Sequence, residues 1–291
     1  KDTSGNTLSS QYETSSGFKT CRTSGGLFVA VGTTGYIITS RDGICWTERT
    51  SGTTKYLYSV TYGNNKFVAV GSSGTILTSS DGISWDNRTS GVTGGLMGVA
   101  YGNSTFIAVN NAGNILSSTD GITWSEISLS GNFHSVNYLN STWIVLGNGT
   151  IHTSTDGSNW TSRTSGTTST LYGITFGNST FVVVGINDIL TSSDATTWTS
   201  RESGSVSLMA VNYANNKFVA VGGGKISTST DGITWTDTGD STGGNEVTYG
   251  NNTHVVVGGS NSSGYSTDGT SWTHKRISSA GDNLESIIYK E

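Results

Sequence analysis

One pattern, Ser-x-Asp-Gly-x-x-Trp, is written seven times along the chain: SRDGICW (40–46), SSDGISW (79–85), STDGITW (118–124), STDGSNW (154–160), SSDATTW (192–198), STDGITW (229–235) and STDGTSW (266–272). Its aspartates, Asp42, Asp81, Asp120, Asp156, Asp194, Asp231 and Asp268, are separated by 39, 39, 36, 38, 37 and 37 residues. A near-constant period of this length is the signature of a repeat architecture, in which each unit buries its apolar faces only by stacking on its neighbours.

Each repeat reads alike. An alternating run such as Leu57-Tyr-Ser-Val-Thr-Tyr62 leads into a Gly-Asn turn, then FVAVG (67–71), a Gly-rich turn, TILTS (75–79), the repeated pattern and a polar run from Trp85 to Thr89. Four short β-branched and aromatic runs bounded by turn residues are a strand signal, and no useful window carries a helical period. The expected fold is all-β: a seven-bladed β-propeller of four-stranded antiparallel blades, which removes most sheet edges by closing on itself.

The repeated pattern has a local reading. Ser and Asp side chains accept from nearby backbone N–H groups and hold a tight turn. The Gly adopts a backbone that a Cβ would hinder, and the Trp (Trp46, Trp85, Trp124, Trp160, Trp198, Trp235 and Trp272) carries a large apolar area between sheets. Ala195 replaces the Gly in the fifth copy, so that turn is expected to be strained or differently shaped.

The first-strand pattern occurs once more than the Asp pattern, at 18–23 and again at 284–289. Ile287 and Tyr289 match its inward hydrophobics better than Cys21 and Thr23 do. The C-terminal run is therefore expected to supply the innermost strand of blade one and close the ring. The propeller is placed at 18–291 and a leader at 1–17, with 1–23 displaced to the rim. Cys21 and Cys45 then either approach one another as a disulfide or stand as two small buried residues.

Seven copies of Ser-x-Asp-Gly-x-x-Trp at the turn between third and fourth strands resemble the Asp-box, or BNR repeat, of sialidases and related propellers. The likeness covers roughly residues 18–289. The longer stretch YGNNKFVAVGSSGTILTSSDGISW (62–85) resembles repeats of secreted and surface bacterial proteins and of phage structural proteins. A sialidase would imply an arginine triad, a Tyr–Glu pair and a Phe/Tyr-Arg-Ile-Pro motif; with no Pro in the chain that motif is absent. Arg49, Arg88, Arg163, Arg201 and Arg276 each follow a blade's Trp by three or four residues, a placement that reads as solvated charge on the outermost strand.

The remaining chemistry is sparse. Charged residues make up 12% of the chain and the net charge is −5 with no basic cluster, which argues against nucleic acid. No apolar run has membrane-spanning length. The histidines His134, His152, His254 and His274 stand singly in strands, and no metal site or cofactor is expected. What remains is one face of the ring, built from Ser-, Thr-, Gly- and Asn-rich loops whose hydroxyls and amides suit neutral sugars. Tyr36, Tyr56, His134 and Tyr172 are the candidate glycan-binding residues there. The expected function is a non-enzymatic recognition module outside the cell, at a cell surface or on a virion, with glycans or surface proteins as partners and oligomers or larger assemblies compatible with it. The alternative is a carbohydrate-active hydrolase of the Asp-box propeller type.

Overall fold

The structure is a computed structural model that describes residues 11–14, 17–201, 207–259, 262–277 and 282–291. Seven four-stranded antiparallel sheets follow one another around an axis. Blade two shows the plan: Leu57–Gly63 innermost, then Lys66–Gly71, Ile76–Ser79 and Asp86–Arg88 at the rim. Among the described residues there is no α-helix, only two short 3₁₀ turns at Thr33–Gly35 and Ser72–Gly74.

The ring closes as a composite blade. The C-terminal strand Leu284–Lys290 pairs antiparallel with Leu27–Gly32, setting Tyr289 opposite Phe28 and Ile287 opposite Ala30. Gly17–Thr20 takes no part in that blade; it pairs with Gln11–Thr14 in a separate hairpin. Cys21 and Cys45 are joined in a disulfide. Arg22 N–H donates to Asp42 Oδ2 at 3.0 Å, and the Arg22 guanidinium reaches Asn251 of blade seven. The segment leading into blade one is thus tied across the seam where the ring shuts.

Each gap between blades is filled by one apolar cluster. Val29, Val31 and Ile37 of blade one face Leu57, Val60 and Phe67 of blade two, and the closing gap holds Val255 and Val257 against Phe28, Ile38 and Leu284. Within a blade the aromatics interlock: Tyr62 and Phe67 centroids lie 4.6 Å apart, and Phe67 and Trp85 6.3 Å. Neighbouring inner strands dock through a Tyr-Gly step. A Cβ on Gly63, Gly102, Gly177 or Gly250 would sit about 2 Å from the ring of Tyr101, Tyr138, Tyr213 or Tyr289 on the next blade, so only a hydrogen leaves room for that ring. At the one-to-two step the same place is taken by Lys290, whose Nζ lies over the Tyr62 ring at 5.5 Å.

The repeated turn forms as its chemistry requires. Asp81 Oδ1 accepts from Ile83 N at 2.8 Å and Ser84 N at 2.9 Å, Ser79 Oγ accepts from Gly82 N at 2.8 Å, and the Trp85 indole N–H donates to Gly82 O at 3.2 Å. Such donors hold the carboxyls down: the Thr123 amide, foremost, lowers Asp120 to about 2. Ala195 keeps this shape with φ 58°, and Asp194 still accepts from Thr196 and Thr197. The fifth turn is therefore strained and keeps its aspartate contacts, but among the described residues it lacks the bond to the Ser Oγ from the N–H three residues on that the six glycine turns make.

Candidate functional site

The face built by the turns between second and third strands and by the blade-to-blade connections carries two kinds of feature. The first is a girdle at the mouth of the axis. Each inner strand of blades one to five has a β-bulge near its start, and the bulged residues are Glu285, Tyr58, Met97, His134 and Tyr172. Met209 and Asn245 hold the equivalent places in blades six and seven, where their N–H groups donate to Val221 O and Val257 O at 2.8 Å. Bulges re-aim side chains, and here they turn one residue per blade toward the mouth. Neighbours touch around the girdle: His134 and Tyr172 rings lie 5.7 Å apart, and Asn245 Nδ2 donates to Glu285 Oε2 at 3.2 Å. His134 Nε2 meets Asn148 Oδ1 at 2.8 Å; an amide oxygen only accepts, so this nitrogen carries the proton.

Two carboxyls lie at the hub. Glu246 begins the inner strand of blade seven, where sister blades place Ser59, Ser135, Gly98 or Ala210, and burial pushes it up to about 7. Glu285 on the adjoining strand is also raised by burial. Glu246 and Glu285 lie 39 residues apart in the chain; the register brings them to neighbouring inner strands.

The second feature is a set of rim clefts beneath the fourth strand. One, of about 830 Å³, is lined by Glu48, Arg49, the Thr50–Thr54 loop and Asp282; its counterpart on blade four, about 610 Å³, is lined by Arg163, Thr164, Ser165, Gly166 and Thr168. Four of the five rim arginines are not the freely solvated charges expected from sequence, while Arg276 is exposed. Arg49, Arg88, Arg163 and Arg201 are half-buried, and each Nε donates to a third-strand hydroxyl, Thr39, Thr78, Thr153 or Thr191, at 2.8–2.9 Å. The signal was present as a Thr ten residues before each Arg.

Of the candidate glycan-binding residues, His134 and Tyr172 come together in the girdle. Tyr56 is 47% exposed, immediately before the inner strand of blade two, with its N–H donating to Ser72 Oγ. Tyr36 is 7% exposed and packs in the closing gap between blades seven and one, while also lining the blade-one cleft. The loop at 202–206 lies outside the described residues.

Two other clusters gather chemistry-bearing side chains. Cys21, Asp42 and Cys45 bring ligand-type atoms within 4.8 Å, but the disulfide consumes both thiolates. His274 Nε2 meets both Asp240 Oδ2 and Thr242 Oγ1 at 2.7 Å. Thr242 Oγ1 also lies 3.2 Å from His274 Nδ1, and the grouping ties the connection after blade six to the outer strand of blade seven.

Fold and faces together define a closed seven-bladed β-propeller with a small girdled mouth and polar rim clefts. A family model, the DUF6242 beta propeller domain, matches residues 24–133. Among solved structures the chain is similar to YCF48 bound to D1 peptide, at 19% identity over 78% of this chain and 84% of that one, TM-score 0.64. It is similar to YCF48 from Cyanidioschyzon merolae, 18% identical over 80% and 94%, TM-score 0.61. Virginiamycin B lyase from Staphylococcus aureus is 14% identical over 86% and 94%, TM-score 0.63. No curated protein sequence matches the chain.

Proposed function

We propose that this propeller is a non-enzymatic recognition module acting outside the cell, at a cell or virion surface, that holds glycans or surface proteins on its loop face. The observation that carries the reading is the repeated rim connection: Arg-Thr-Ser-Gly, hydroxyl-rich, recurs at Arg49, Arg88 and Arg163 and lines an open cleft at the first and third of these. Repeated shallow sites gain through avidity what each lacks in affinity. Hydroxyls that both donate and accept complement sugar hydroxyls, and the His134–Tyr172 pair, its rings inclined at 62°, adds aromatic surface at the mouth. The Cys21–Cys45 bond favours an oxidising compartment. The YCF48 structure bound to a peptide gives precedent for a propeller of this shape taking a protein segment.

A second reading, a carbohydrate-active hydrolase, is favoured by one observation. Glu246 with its raised pKa, beside Glu285, has the pairing of a protonated acid with a second carboxyl that glycoside cleavage uses. A glycan array followed by product analysis separates the two. Multivalent retention of intact oligosaccharide supports recognition; release of shortened product that stops in Glu246→Gln supports the hydrolase and overturns the proposal.

A further inference from the structure

The rim arginines carry an internal comparison that points to the ligand. In blade two, Arg88 Nε is fixed by Thr78 Oγ1, and its Nη2 binds the Asp86 carboxylate at 2.7 Å. The free edge of this held guanidinium is therefore a carboxylate site, filled there by the chain itself. In blade four the hold is the same, Arg163 Nε to Thr153 Oγ1 at 2.8 Å, but the residue two positions earlier is Thr161. The register is conserved: Asp86 stands opposite Thr78 and Thr161 opposite Thr153. Among the described residues the Arg163 Nη atoms have no hydrogen bond or ion pair, and neither do the Thr164 and Thr168 hydroxyls beside them. The cleft they line contains no acidic residue.

From this we infer that the Arg163 cleft of blade four binds a carboxylate-bearing sugar, a uronic acid unit of an acidic polysaccharide. The inference rests on the recognition reading above and narrows its ligand. Locking Nε to a neighbouring hydroxyl leaves the two Nη groups as a pre-oriented fork, the geometry that suits a planar carboxylate. Around it lie hydroxyls and glycine with no apolar wall, so the rest of the ligand meets groups that complement ring hydroxyls rather than a hydrophobic side chain. Gly166, with φ 79°, has nothing within 4 Å of where a Cβ would stand, which leaves the cleft open on that side. The blade-one cleft shares the arginine hold but is lined by Glu48 and Asp282 as well, and those charges disfavour an anionic ligand there.

The test uses tetragalacturonate, its carboxyl-reduced neutral counterpart and hexaglutamate, titrated calorimetrically against the full chain, with melting temperature recorded for every variant. Wild type is expected to bind tetragalacturonate above the neutral form. Arg163→Gln should lose about ten-fold or more, as for other hydrogen bonds to charged groups. Thr161→Asp keeps the arginine and supplies the blade-two arrangement in cis, so it should abolish binding with the melting temperature intact. Asp86→Thr, which empties Arg88, should raise the stoichiometry by one site. Unchanged binding in both Arg163→Gln and Thr161→Asp overturns the inference, as does hexaglutamate binding that Thr161→Asp removes while tetragalacturonate fails to bind. Retention of neutral glycans without preference for the acidic form overturns this inference alone. A glycan array with no retention at all overturns the recognition reading with it.

Discussion

Blades two and seven are built on one plan and differ in what fills it. In blade two, Phe67 lies between Tyr62 and Trp85 at 4.6 and 6.3 Å; in blade seven, His254 lies between Tyr249 and Trp272 at 4.7 and 6.4 Å. The geometry is shared, yet His254 is fully buried with neither ring nitrogen hydrogen-bonded. Ser59 of blade two accepts from Val99 N at 3.2 Å; the equivalent residue of blade seven is Glu246. Leu77 of the third strand becomes Gly264, and the space a Cβ would need there is taken by the His274 imidazole. The aromatic frame thus tolerates polar replacement at the closing seam, at a cost in stability that depends on protonation.

The largest effect should come from moving that feature into the regular blade. Phe67→His buries an unpartnered imidazole where blade two has none and should cost about 3 kcal/mol or more in urea unfolding at neutral pH. A loss under about 1 kcal/mol would mean that the frame, not the ring's polarity, sets stability, and the contrast between the blades would dissolve.

Why one blade was legible and the other was not follows from what periodicity reports. Blade number, strand order and the closing role of 284–289 were carried by repeated residues. Tyr289 and Ile287 could be matched to sister positions, and the Asp–Gly turn has a single chemical reading. His254, Glu246 and Glu285 depart from the repeat, and a departure gives no direction in space. In sequence His254 stands as a single strand histidine, whereas register aligns it with Phe67, Phe106 and Phe218. The arginine hold was missed because a Thr–Arg spacing of ten acquires meaning only once the third and fourth strands are paired.

The reverse exchange, His254→Phe, sharpens the comparison through pH. Burial, foremost, lowers His254 from its ordinary 6.5 to about 4. Between those values the unfolded chain takes up a proton that the folded chain refuses, so wild-type stability falls as pH drops through 6.5 toward 4. The deficit reaches about 3 kcal/mol at the acid end. His254→Phe should remove this acid limb and gain least at pH 8. An unchanged slope between pH 6.5 and 4 would place the acid sensitivity elsewhere.

Glu246 sets the opposite slope. Its carboxyl is raised from 4.5 to about 7, so the folded chain holds a proton that the unfolded chain releases across that window, and stability falls as pH rises through it. Glu246→Gln, which stays neutral, should match wild type near pH 4 and exceed it by about 3 kcal/mol at pH 8, read from urea midpoints. Equal midpoints at pH 8 would show that the hub solvates the carboxylate.

The smallest difference should lie at the turn, where the two blades agree. Gly82 and Gly269 both sit at φ 73°, and a Cβ on them would approach Leu27 Cδ2 at 2.9 Å and Val219 Cγ2 at 3.0 Å. Gly82→Ala and Gly269→Ala should each cost about 1 kcal/mol or more, from the left-handed backbone and the tight contact together. They should agree within about 0.5 kcal/mol, since neither contact depends on what fills the blade behind it. Ala195 shows that the conformation is bearable in this fold: its methyl is buried in the gap between blades four and five, offsetting part of the strain. Ala195→Gly should accordingly change stability by less than about 0.5 kcal/mol, relief and lost burial nearly cancelling. A gain above 1 kcal/mol in thermal unfolding would show that strain, and not packing, dominates the fifth turn.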